Sequence, residues 1–299
     1  MPFNLNSKAL LGHLAMLLFS LLVSVSFSVG AIVANEIEPL SITAARFLFA
    51  AIFIFVFFVG SSNTSLYDLH NPVRFLFLGG IISTYFVTMF EGLKTANPIS
   101  MSVVFTFTPI MAGVFDFFLS KRTLSFGTWL AVMFGGLGAL WVIFDGKLSN
   151  IIELRIGYGE ALFFIGCAGH ALYAALIPRL NRGETPLAQS FGTLLAATLI
   201  LSFIGGNAIS DTSWFLLSLN VWSTIFYLAI FATAATFFLI QFAATRLSSL
   251  KVMAYTYAVP FWVTLLEVLL GHSSINTVLL IGGSIIFSSL MFLLINNDY

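Results

Sequence analysis

Apolar residues run along this chain in blocks separated by short polar interruptions, and the same five-block pattern is written twice, from Leu11 to Phe144 and from Gly157 to Ile295. A bilayer core about 30 Å thick is crossed by about 20 helical residues, so each block predicts one membrane helix. The blocks fall at 11–34, 41–60, 73–92, 98–119, 126–144, 157–177, 186–206, 219–241, 249–270 and 275–295. The expected fold is therefore all-α and integral to the membrane: ten transmembrane helices, divided into a first five-helix repeat at 1–147 and a second at 148–299. Lys8 ahead of the first block and small residues near Gly30 to Ala34 would also suit a cleaved signal, but the block is longer than a signal core and is needed as partner to the sixth.

The two copies align by their punctuation. Glu38-Pro39-Leu40 before the second block matches Thr185-Pro186-Leu187 before the seventh. Pro109 in the fourth answers Pro260 in the ninth, each followed seven residues later by an acid, Asp116 and Glu267. Gly135-Gly136 answers Gly282-Gly283, and these glycines, with Gly138, are expected to allow close helix contact. Five crossings per copy is an odd number, so the second copy enters the membrane upside down, an inverted repeat of the kind that builds many secondary transporters around a central cavity.

Composition agrees and removes other classes. The chain is 59% hydrophobic and 8% charged, against roughly 25% charged in soluble domains, and its mean hydropathy is +1.03. A formal net charge of +0 indicates no nucleic-acid footprint. Basic residues set the orientation: Lys8, Arg74, Lys121, Arg122, Arg179, Arg182, Arg246 and Lys251 collect on one side, and Lys94, Lys147 and Arg155 on the other. Both termini are accordingly expected in the cytoplasm of a multi-pass protein of the cell (inner) membrane.

Enzyme chemistry finds little support. The sole cysteine, Cys167, lies in an apolar stretch and reads as packing. His13, His70, His170 and His272 are scattered, with no His-Glu-x-x-His helix, no Gly-x-Ser-x-Gly elbow and no phosphate loop. No catalytic residue, metal site or cofactor is assigned.

Ionisable groups at membrane depth are costly and point to function. Arg46, about one and a half turns inside the second block, and Glu91, near the outer end of the third, are placed to form a buried pair; this reads either as a gate, or as an anion-binding arginine, or as a structural ion pair. Asp116 and Glu267 sit one turn inside opposite faces, as proton or cation sites, or, for Asp116, as an interfacial partner of Lys121 or Arg122. Glu267 has no basic residue nearby in sequence, so Arg46 is its candidate partner across helices. His170 and Tyr173, three apart on one helix face, with Tyr85, Gln241, Tyr255, Tyr257 and Trp262, describe an amphipathic, aromatic-lined cavity for a small-molecule substrate. Pro109 and Pro260 are candidate hinges, because each removes a backbone hydrogen bond within a helix.

Several stretches resemble the EamA-type members of the drug/metabolite transporter superfamily. They are Pro39-Leu40-Ser41-Ile42-Thr43-Ala44-Ala45-Arg46-Phe47-Leu48, Gly92-Leu93-Lys94-Thr95-Ala96-Asn97-Pro98, Phe107-Thr108-Pro109, Ala174-Ala175-Leu176-Ile177-Pro178-Arg179 and Tyr257-Ala258-Val259-Pro260. The chain departs from that pattern where the family places Gly-Glu pairs, here Ser120-Lys121 and Gly271-His272, and where a first-helix Trp-Gly becomes Val23-Ser24. The resemblance implies a carrier whose cavity is formed mainly by helices 1, 3, 4, 6, 8 and 9, moving a small organic metabolite by alternating access. The expected function is export or exchange of an amino acid or related amphipathic compound, with protons or a counter-substrate as partners. A multidrug or cation efflux carrier, a membrane-embedded enzyme and a non-transporting scaffold remain as alternatives, and monomer and homodimer are both open.

Overall fold

The computed structural model describes residues 7–96, 98–120, 125–144, 146–147, 157–269 and 277–295. Among the described residues, helix occurs within each of the apolar blocks. The helices are α1 (Ser7–Val33), α2 (Pro39–Gly60), α3 (Val73–Leu93), α4 (Pro98–Phe105), α5 (Thr108–Ser120), α6 (Phe126–Ile143), α7 (Tyr158–Leu180) and α8 (Pro186–Ile204). They continue as α9 (Gly206–Asp211), α10 (Leu219–Ala229), α11 (Thr236–Ala244), α12 (Ser249–Ala254), α13 (Ala258–Leu269) and α14 (Thr277–Ile295), and no strand occurs among the described residues. Among the described residues seven helical segments are long and apolar enough to cross a membrane, with α6 and α14 shorter but apolar. A helix satisfies its own backbone groups without water, which is why lipid admits this architecture.

The termini follow local rules. Pro39 and Pro186 open α2 and α8, where the missing proline N–H is not needed. Thr185 accepts a hydrogen bond from Ala188 N at 3.2 Å, and Ser125 one from Thr128 N at 3.2 Å.

Three of the expected helices are interrupted, two of them next to the prolines read as hinges. The fourth block breaks between α4 and α5, the ninth at Tyr255–Tyr257 between α12 and α13, and the eighth carries a wide π turn at Ile230–Ala235 between α10 and α11. Pro109 and Pro260 therefore sit in the first turn of α5 and near the start of α13 rather than inside unbroken helices. The carbonyl that Pro109 leaves unclaimed, Phe105 O, accepts from Thr108 Oγ1 at 2.8 Å. Thr108 Oγ1 also meets Thr256 Oγ1 at 3.0 Å, so the two breaks touch.

Long-range packing sets α3 against α7 and α8, α2 against α8 and α10, α1 against α11 and α13, α5 against α7 and α12, and α6 against α14. The α6–α14 contact uses the glycines as expected: a Cβ on Gly138 would lie 3.1 Å from Gly282 O, and one on Gly282 3.0 Å from Gly138 O.

Candidate functional site

A small cavity of about 20 Å³, room for about one water in this closed arrangement, lies among the described helices, walled by α1, α3, α7, the π turn and α11. Its position follows from one missing side chain. A Cβ on Gly166 of α7 would stand 2.0 Å from Thr88 Oγ1 and 3.1 Å from Tyr85 Cα, so only glycine lets α3 come this close. One turn further along α7, His170 then meets Tyr85, with ring centroids 4.5 Å apart. His170 also stacks on Phe105 at 5.6 Å and on Phe19 at 6.1 Å.

Tyr173 completes the α7 face. It is 1% exposed, and its hydroxyl accepts a hydrogen bond from Gln241 Nε2 of α11 at 2.8 Å. Three of the sequence candidates thus line the cavity directly, Tyr85, His170 and Tyr173, and Gln241 joins them through Tyr173. The remaining aromatic candidates are elsewhere. Tyr255 pairs with His13 Nδ1 at 2.8 Å, and Trp262 donates to Ser20 Oγ at 3.0 Å, so both tie the broken α12–α13 segment to α1. Tyr257 packs over Gly135 and Gly136 of α6, because the turn at Tyr255–Tyr257 rotates successive residues away from one another.

Arg46 and Glu91 do not form the expected buried pair. Glu91 lies at the end of α3, where its half-exposed carboxylate is met by Lys94 three residues on, at 3.2 Å, and Lys94 also reaches Glu38 at 3.4 Å. Arg46 is 0% exposed and turns to the π turn instead, its Nε donating to Thr233 Oγ1 at 2.9 Å and its Nη2 to Ala232 O at 3.1 Å. Ala232 O also accepts from Thr236 Oγ1 at 3.0 Å, inside a π turn of the kind often found at functional sites. The guanidinium also lies over Phe86, 4.4 Å from the ring centroid.

Asp116 finds partners that sequence spacing does not reveal. Its Oδ1 accepts from Arg179 Nη2 at 3.2 Å and its Oδ2 from Ser249 Oγ at 2.5 Å, joining the ends of α5 and α7 to the start of α12. Ser100 Oγ donates to Glu160 Oε1 at 2.6 Å between the starts of α4 and α7. Lys121, Arg122 and the Glu267 side chain lie outside the described residues. Neither Glu160 nor the lining rings Phe19, Phe86 and Phe237 stood out in sequence, since 34 phenylalanines mask the few that matter. Among the described residues no cluster of His, Cys, Asp or Glu is grouped as a metal site would require.

The profile of the EamA-like transporter family matches residues 10–144 and 157–295. The chain belongs to the EamA-like transporter family, within the drug/metabolite transporter superfamily. A relative from Bacillus subtilis (strain 168), the uncharacterized transporter YyaM, is 25% identical over 225 residues, which cover 74% of this chain and 73% of its own. One crystal structure of a protein superposes over 97% of this chain and 98% of its own with a TM-score of 0.73, and at 19% identity that likeness speaks for the fold alone. In this EamA-like chain the central site offers aromatic faces, a tyrosine–glutamine pair and a histidine.

Proposed function

We propose that this transporter is a secondary carrier that moves a small organic metabolite, such as an amino acid, by alternating access, in export or exchange. The observation that carries this reading is the central cavity, whose wall includes His170 and whose Tyr173 holds Gln241: His170 Nδ1 and Gln241 Oε1 have no hydrogen-bond partner among the described residues. Buried polar atoms without partners are costly, and a carrier's substrate is what would satisfy them. In this reading the chain crosses the inner membrane ten times as two inverted repeats, 1–147 and 148–299, with both termini in the cytoplasm. The Asp116–Arg179–Ser249 cluster closes the cytoplasmic end, Glu91, Glu38 and Lys94 flank the outer end, and the touching breaks at Pro109 and Pro260 are the hinges. Glu267 couples transport to protons or to a counter-substrate.

The test is counterflow in liposomes holding the purified protein, with a panel of amino acids, nucleosides, polyamines and organic cations. Uptake driven by one class of internal substrate, and reduced by Tyr173→Phe or Gln241→Leu, is expected. Product formation without translocation would overturn the reading in favour of an enzyme, and silence across every class would overturn the carrier reading itself.

A further inference from the structure

Among the described residues, Arg46 is a cation whose contacts are all neutral. It lies about two turns inside α2 and is 0% exposed. Its bonds go to the Thr233 hydroxyl and the Ala232 carbonyl, and its plane rests near Phe86 and Phe90. The Nη1 group has no hydrogen-bond partner, and no acidic side chain pairs with Arg46 among the described residues. A guanidinium presents five donors in a fork shaped for carboxylate, and a buried charge held only by neutral acceptors is half of an ion pair. Thr233 and Ala232 orient this arginine but do not neutralise it.

The cavity lies next to it. Ala232, which takes the Nη2 bond, and Phe86, whose ring lies under the guanidinium at 4.4 Å, both belong to the cavity wall. One aromatic ring therefore separates the unpaired Nη1 from the space where a substrate would sit. Displacement of the Phe86 ring, which packs against Phe47, Tyr85 and Phe237, would open the guanidinium to that space. Gln241, bonded to the wall residue Tyr173, has an Oε1 without a donor among the described residues, which suits an ammonium group rather than a second anion.

We propose that Arg46 is the residue that recognises a carboxylate on the transported molecule, with Phe86 as the ring that uncovers it, so that the carrier selects small carboxylates and zwitterions over cations. This rests on the carrier reading above and adds the charge of the substrate's head group. Were Arg46 only a strut, its bonds to the π turn would be enough, and the head-group charge of a ligand would be indifferent to it.

The experiment measures binding by thermal stabilisation and transport by counterflow, using α-amino acids and simple monocarboxylates, each beside its carboxamide, together with organic cations. In the wild type a carboxylate is preferred over its carboxamide by on the order of tenfold or more, the size of a charge-assisted hydrogen-bonded pair. Arg46→Gln erases the preference, and Arg46→Lys, which keeps the charge but not the fork, retains part of it. Thr233→Val, which removes the hydroxyl that orients the guanidinium, weakens the preference without abolishing it and serves should Arg46→Gln fold poorly. Equal response to acid and amide, a preference for cations, or an undiminished acid preference in Arg46→Gln each overturns the assignment while leaving a carrier in place. Silence for every class in the wild type overturns the carrier reading and the assignment together.

Discussion

Replacing Asp116 by Asn tests whether the cluster at the ends of α5 and α7 and the start of α12 holds that end of the bundle shut. Asn keeps the shape and a weaker bond to Ser249 but removes the charge that Arg179 Nη2 meets at 3.2 Å. Two unit charges at that separation attract by about 5 kcal/mol at an effective dielectric of 20. The net value is smaller, because the side chains are 23% and 13% exposed and water competes for both. It falls between the median of about 0–1 kcal/mol for surface pairs and the 3–5 kcal/mol lost on breaking a fully buried one, so ~1–2 kcal/mol is expected. If the pair exists only with that end closed, this energy shifts the closed-to-open ratio roughly 5- to 30-fold. The reporter is Met253→Cys in a Cys167→Ala background, because Met253 is 0% exposed on α12, which packs against α5, and the native cysteine is itself buried. Alkylation at position 253 should accelerate by a comparable factor in Asp116→Asn. Arg179→Gln should do the same, and the double variant no more than either alone. Unchanged labelling, or fully additive effects in the double variant, would refute the reasoning, since residues that act as one contact are not additive.

Three further outcomes follow from the packing and charge on view. Gly166→Val should destabilise the protein by about 1–3 kcal/mol through overpacking against Tyr85 Cα, whereas Gly60→Ala, where nothing lies within 4 Å, should leave its unfolding temperature unchanged. Replacing Pro109 and Pro260 together by Ala should slow transport without lowering thermal stability, and full transport by that variant would dismiss the hinges. Glu184 in the α7–α8 connector is buried, which favours its neutral form, but Arg74 at 2.5 Å and Arg182 N at 2.7 Å outweigh burial and hold its pKa below the ordinary value. A carboxylate depressed in the folded state stabilises above its unfolded pKa of about 4.3 and loses that contribution as pH falls through the lower folded value. The stability gap between wild type and Glu184→Gln should therefore be constant from pH 7 to 5 and close below pH 4, and a gap unchanged at pH 3 would contradict the assignment.

The sequence by itself determined the class of molecule and the place of its helices. Lipid forces each crossing segment to satisfy its backbone internally over about 20 apolar residues, a requirement that is local and is written in residues such as Pro39 and Pro186 at helix starts. Glycines at the α6–α14 crossing were legible for the same reason, since their spacing within one helix already defines a stripe. What the tertiary structure decided is who meets whom. Arg46 meets Ala232 and Thr233 rather than Glu91, and those groups, 186 and 187 residues away in the chain, are placed beside it by helix packing that no local spacing reveals. Asp116 meets Arg179 and Ser249, 63 and 133 residues away, and Tyr257 stands over α6, outside the cavity wall, where its helix breaks. Hydrophobic periodicity fixes which residues can be helical, but helix rotation and the local breaks set each side chain's azimuth, and these come from packing between segments far apart in the chain.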